Sequence, residues 1–146
     1  MRIIFVMGPT GGGKSYYIEN NLKDFVKVDL YDFQKNNMTY DEVWESYMKC
    51  KDKLIEEIKK GNDVVLEHTL LKGIRREIYI NAVKEISDVS IEAVWIFPDI
   101  EKYKENSLKR FHAFSQRMYD EFKEVSETPT VEEGFSSVLI MTSSHD

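Results

Sequence analysis

Short apolar runs alternate along the chain with longer stretches in which apolar residues recur every three or four positions. Arg2 leads into Ile3-Ile4-Phe5-Val6-Met7, and glycine-rich sequence follows at once. Phe25-Val26-Lys27-Val28 is the second run and ends at Asp29; Asp63-Val64-Val65-Leu66-Glu67 is the third. Ser90 to Phe97, with Trp95, is the fourth, and Val138-Leu139-Ile140-Met141 the last. Apolar runs of this length bounded by turn formers predict buried strands.

Between the runs the period becomes helical. A helix is expected over about 14–22. Thr39-Tyr40-Asp41-Glu42 is a capping box opening a helix to about Lys60, with Val43, Tyr47, Cys50, Leu54 and Ile58 on one face and Gly61-Asn62 as the stop. Further helices are expected over about 73–86, after Pro98 with Asp99 as cap, and over about 115–123; 143–146 reads as a frayed tail. This βαβ alternation predicts an α/β fold of three layers, a central, mostly parallel five-stranded sheet between helices.

With 146 residues and 42% hydrophobic positions, one domain spanning 1–146 is expected, large enough to bury its own core. The apolar runs are far too short to cross a bilayer, the N-terminus does not read as a signal peptide, and Cys50 is the lone cysteine, so no membrane association and a cytoplasmic location are expected. Cys50 lies in a polar helical stretch and is assigned a structural role, as are Met7 and Met118 in the core. A net charge of −6 argues against sequence-independent coating of DNA. Two local basic clusters remain, Lys72-Arg75-Arg76 and the group Lys102, Lys104, Lys109, Arg110 and Arg117.

Residues 8–15 read Gly-Pro-Thr-Gly-Gly-Gly-Lys-Ser, the G-x-x-x-x-G-K-[ST] pattern at a strand-to-helix junction. Gly8, Gly11, Gly12 and Gly13 let the backbone curl with its N–H groups inward, and the helix that follows adds its positive end. The expected occupant is a nucleoside triphosphate, with Lys14 on the β/γ-phosphates, the Ser15 hydroxyl on Mg²⁺ and Tyr16 beside them. ATP and Mg²⁺ are taken as the cofactors, the motif itself leaving the preference between ATP and GTP open.

Ligands of open α/β sheets bind beyond the carboxyl ends of the strands. Asp29 ends the second strand and Asp32 follows one turn later. Glu67 closes the third as a carboxylate that holds Mg²⁺ through water, and His68 stands next to it. Asp29 is placed to take the proton of an attacking hydroxyl, while His68 is open between orienting a partner and packing in the core. Arg110 and Arg117 flank Phe111-His112-Ala113-Phe114 between two expected helices, the arrangement of a helical lid that brings arginine onto a nucleotide.

Together these residues resemble the P-loop kinases of the polynucleotide 5′-kinase group, with zeta toxins as relatives. The resemblance runs nearly end to end: Gly8 to Ser15, an Asp after the second strand, Thr69 and then Arg75-Arg76 after the third, Asn106-Ser107 with Arg110, and Met118-Tyr119 through Pro129-Thr130 to Glu132-Glu133-Gly134-Phe135. It implies an ATP-dependent kinase with Asp29 as base, Lys14 and Arg110 stabilising the transferred phosphoryl, and the Glu-Gly-Phe segment walling the nucleotide. The implied acceptor is a nucleic-acid or nucleotide 5′-hydroxyl, with Arg75, Arg76 and Lys72 on its phosphates. The alternatives are a nucleoside, sugar or sugar-nucleotide kinase and a non-catalytic nucleotide-binding switch. The chain departs from the family's Asp-Asp-x-Arg loop: Gln34 stands near the position of that Arg and His68 near the carboxylate that would pair with it. Asp29 and Asp32 both remain candidates for the base, and the oligomeric state is not legible.

Overall fold

β1, Ile3–Met7, is the centre of a five-stranded sheet in a computed structural model that describes residues 1–142. The expected tail over 143–146 lies outside the described residues. β2 is Val26–Asp29, β3 Val64–Glu67, β4 Ile91–Ile96 and β5 Ser137–Met141. Their order across the sheet is β2-β3-β1-β4-β5, and every pairing is parallel.

The helices are α1 (Lys14–Asn21), α2 (Tyr40–Lys59), α3 (Gly73–Ile86), α4 (Ile100–Phe111) and α5 (Gln116–Val125). The step from β1 to β2 runs in one direction across the sheet, and the steps from β2 to β3 and β3 to β4 run in the other. Right-handed crossovers then require α1 on one face and α2 and α3 on the opposite face. The side chains of β1 divide accordingly. Ile3, Phe5 and Met7 join Leu54, Tyr79 and Val83 in one core, and Ile4 and Val6 join Ile18 and Leu22 in the other.

Local chemistry sets the helix ends. Thr39 and Glu42 make both hydrogen bonds of the capping box at 3.2 Å, and Asp99 caps α4 through the Lys102 N–H at 2.8 Å. Ser115 caps α5, and His112, with φ 56°, ends α4 in the left-handed conformation. Element bounds differ from expectation by only a residue or two. Two short 3₁₀ turns, Leu30–Phe33 and Val131–Glu133, carry no hydrophobic period and were not foreseen.

Cys50 is fully buried on the packing face of α2, in keeping with the structural role assigned to it, and burial pushes its thiol up to about 12. One core assignment is corrected. Met118 is about half exposed, because α5 turns Tyr119 inward and not its neighbour.

Candidate functional site

Four loops leave the C-terminal edge of the sheet around β1, on either side of which successive connections run in opposite directions. That switch point is where an open α/β sheet offers a crevice. The phosphate loop occupies it. A Cβ at Gly8 would collide with the Ile96 carbonyl of β4, and Gly13, with φ 96°, turns the chain into α1. The loop therefore sits tightly on β4, with the amide end of α1 facing the opening.

Lys14 is buried, and its ammonium donates to the Gly8 carbonyl at 3.0 Å and the Pro9 carbonyl at 3.1 Å. Burial lowers its pKa to about 8, with nearby Glu67 opposing the shift and Arg110 reinforcing it. The Ser15 hydroxyl donates to Glu67 Oε1 at 2.8 Å. Glu67 in turn receives the Lys27 ammonium, 3.3 Å from Oε2, and that ammonium also lies 3.9 Å from Asp29 Oδ2.

Strand register places Asp29 directly beside Glu67. Asp29 Oδ1 accepts the Tyr31 backbone N–H at 2.9 Å, which fixes the carboxylate at the head of the 3₁₀ turn. Burial pushes the Asp29 carboxyl up to about 6, partly offset by that N–H and reinforced by Glu67. His68 is buried, with Nδ1 3.1 Å from Thr69 Oγ1 and its ring against Tyr31. Burial, reinforced by the Lys14 charge, pushes its pKa down to about 3, so it is a neutral imidazole at physiological pH.

Lys14, Ser15, Asp29 and Glu67 share one cleft of about 580 Å³, within the ordinary range for small-ligand sites, and His68 does not line it. Gly11, Gly13, Lys14, Ser15, Tyr16, Asp29, Glu67 and Arg110 all line it. α4 closes the far side. Asn106 Nδ2 donates to the Gly11 carbonyl at 2.8 Å, and Arg110, one turn later on the same helix face, packs over Phe111 at 5.2 Å. The corner between α4 and α5 is pinned, since Tyr103 meets Phe114, Tyr119 and Phe122 with centroids 5.1–6.2 Å apart.

Other expected residues lie elsewhere. Arg76 is buried, with Nε 2.7 Å from Glu133 Oε1 and Nη1 2.8 Å from the Leu70 carbonyl, so it braces α3 against the Val131–Glu133 turn instead of facing a substrate phosphate. The Glu-Gly-Phe segment is correspondingly no nucleotide wall: Glu133 holds Arg76, and Phe135 packs edge-on against Phe5 in the core. Arg117 projects into solvent and pairs with Glu121 one turn away, because the face of α5 that packs carries Tyr119 and Phe122. Asp32 is exposed and does not line the cleft, and Arg75 lies over the Tyr47 ring. The cleft also takes Thr10, Tyr31, Lys109 and Phe111, and Lys27 reaches its carboxylates; none was assigned to the site from sequence.

The residues present suit a nucleotide with Mg²⁺. The hydroxyl of Ser15 and the carboxylate of Glu67 are hard oxygen donors already aligned on each other. Among the described residues no cluster of three or more His, Cys, Asp or Glu could hold a metal by itself. Mg²⁺ carried on substrate phosphates needs only a few protein ligands of this kind. No helix among the described residues is long and apolar enough to cross a membrane.

No protein-family model matches the chain, and no curated protein sequence matches it. Solved structures do. A sugar kinase from Janibacter sp. HTCC2649 superposes with a TM-score of 0.73 at 15% identity, covering 96% of this chain and 85% of that one. A gluconokinase from Sinorhizobium meliloti 1021 gives 0.71 at 17% identity over 95% and 81% of the two chains. A chain of the Pnkp1/Rnl/Hen1 RNA repair complex gives 0.67 at 17% identity over 82% of this chain and 42% of that one. The fold is that of the P-loop kinases.

Proposed function

We propose that the protein is an ATP- and Mg²⁺-dependent phosphotransferase acting on a hydroxyl acceptor. The observation that carries this reading is the convergence in one cleft of Lys14, Ser15, Glu67, Asp29 and Arg110. Loop amides and the N-terminus of α1 bind the phosphate chain. Lys14 moves from the Gly8 and Pro9 carbonyls onto the β/γ-phosphates, and Ser15 with Glu67 would hold Mg²⁺, which would supply positive charge beside the phosphate chain. As the acceptor oxygen bonds to the γ-phosphorus and the bond to the β-bridging oxygen breaks, Asp29 takes the hydroxyl proton and ADP leaves. Arg110 supplies positive charge from α4 to the transferring group.

For the acceptor, we infer a small molecule such as a nucleoside, sugar or sugar-nucleotide. The support is a cleft of small-ligand size, the withdrawal of Arg76 into the core, and the net charge of −6. The sugar kinase and gluconokinase among the similar structures are in keeping with it. A nucleic-acid 5′-hydroxyl is the second reading, favoured by Arg75, which lies over the Tyr47 ring without a carboxylate partner among the described residues. A screen of radiolabelled γ-phosphoryl transfer over sugars, gluconate, nucleosides and 5′-hydroxyl oligonucleotides tests both. Transfer lost in Lys14→Ala with an unchanged circular dichroism spectrum is the expected result. Equal transfer by that variant would refute the reading, and oligonucleotides as sole acceptors would install the second one.

A further inference from the structure

Tyr31 forms part of the cleft wall beside Asp29. Its hydroxyl lies 3.2 Å from Thr10 Oγ1 of the phosphate loop, and its ring rests on that of His68 with centroids 4.4 Å apart. These contacts leave it 44% exposed. A lone bond between two hydroxyls is a weak tether.

A row of side chains continues behind it. The Tyr47 ring is 6.4 Å from that of His68, and the Arg75 guanidinium lies 5.5 Å above Tyr47. None of the three lines the cleft. Arg75 is partly buried, yet no carboxylate among the described residues lies within ion-pair distance of it, and the aromatic face is its contact. Its neighbour Arg76 is paired and bonded on both sides of its fork. A half-buried guanidinium with free donors is built for a planar oxyanion brought by a ligand.

We propose that Tyr31 gates an oxyanion subsite made by Arg75, Tyr47 and His68, and that the acceptor carries a phosphate or carboxylate in addition to the hydroxyl that is phosphorylated. With Tyr31 on Thr10 the His68 end of the row is covered; once the ring swings away, the anion enters the row from that end and the acceptor hydroxyl is drawn toward Asp29. The hydroxyl rests on the kinase reading, whereas the subsite does not.

The test follows the His68 ring resonances at constant pH while inorganic phosphate, or gluconate as the carboxylate probe, is added. Wild type, Tyr31→Ala, Tyr31→Phe and the Tyr31→Ala, Arg75→Ala double variant are compared. Removing the tether is expected to lower the half-saturating concentration of the preferred anion by about five-fold, the worth of one hydrogen bond. The response should vanish in the double variant. Tyr31→Phe, which keeps the ring, guards against a fold defect in the alanine variant and should shift the same way. Identical half-saturation in wild type and both single variants, or a response that survives loss of Arg75, overturns the subsite. A chain that binds anion in this manner but transfers no phosphoryl group overturns the kinase reading and leaves the subsite standing.

Discussion

Ser15 and Glu67 are joined by a hydrogen bond of 2.8 Å that spans from the first turn of α1 to the end of β3. The bond ties the loop to the strand beside β1 and presents two oxygen donors to the cleft. Groups that orient a metal ligand typically cost 10- to 100-fold in affinity when removed. Glu67→Gln is therefore expected to raise the Mg²⁺ concentration for half-maximal transfer by on the order of 10-fold or more, read from a metal titration at fixed nucleotide. An unchanged midpoint would remove Glu67 from the metal site.

Asp29 lines the cleft, whereas Asp32 is exposed outside it. Asp29→Asn should lower kcat by about 10²–10⁴-fold with little effect on nucleotide KM, and Asp32→Asn should lower it far less. Burial holds the Asp29 carboxyl up at about 6, and a base must be ionised to act, so wild-type kcat falls as pH drops through that value. The acid limb should be missing from the residual rate of Asp29→Asn. A limb of the same shape in both would assign the ionisation elsewhere.

His68 links stability to pH. Its pKa is depressed from 6.5 to about 3 by burial, so between those values the unfolded chain binds the proton and the folded chain does not. Stability from this group is full above pH 6.5 and is lost as pH falls through the window, at no more than about 1.4 kcal/mol per pH unit. Urea unfolding at pH 7 and pH 5 should show a smaller loss for His68→Gln than for wild type. Equal losses would show that the ring is protonated without penalty.

Neighbouring arginines on α3 should behave oppositely. Arg76 is paired and buried, so Arg76→Met strands Glu133 and is expected to cost about 3 kcal/mol, the lower end for a broken buried pair because Glu133 is partly exposed. That corresponds to a fall in Tm of roughly 6–12 °C. Arg75→Ala should move Tm by little. Calorimetry of the two variants decides the matter, and a reversed order would contradict the packing.

Arg110 lines the cleft while Arg117 pairs with Glu121 in solvent. Arg110→Ala should reduce kcat by about 10³-fold or more, as for other arginines placed on a transferring phosphoryl group, and Arg117→Ala should leave it within about two-fold. Comparable losses in both would place α5 nearer the nucleotide than it lies here.

The strands and helices were legible because burial on this sheet writes directly into the period of apolar residues. Ile3 to Met7 is buried throughout, as a central parallel strand must be, and the capping box at Thr39 makes both of its bonds. The loop and Glu67 were legible because the one directly follows a strand and the other closes one. What sequence could not supply was rotation and distance. Arg75 and Arg76 differ by one step of 100° around α3, and the carboxylate that claims Arg76 lies 57 residues away. Met118 and Arg117 likewise lost their expected places to the facing of α5. Tyr31 sits in a 3₁₀ turn without periodicity, and Lys27 is a polar residue within a strand, so neither announces the cleft it reaches.

The two carbonyl contacts of Lys14 make the loop electrically self-sufficient. Two carbonyl oxygens already solvate the ammonium, so an arriving anion gains no vacant positive charge and must displace bonds that exist. A monoanion has little with which to compete. On the function proposed above, a polyphosphate, bringing several charges to the loop amides at once, is the ligand able to draw the lysine outward, and the loop would then discriminate by the length of the phosphate chain before any base or sugar is read.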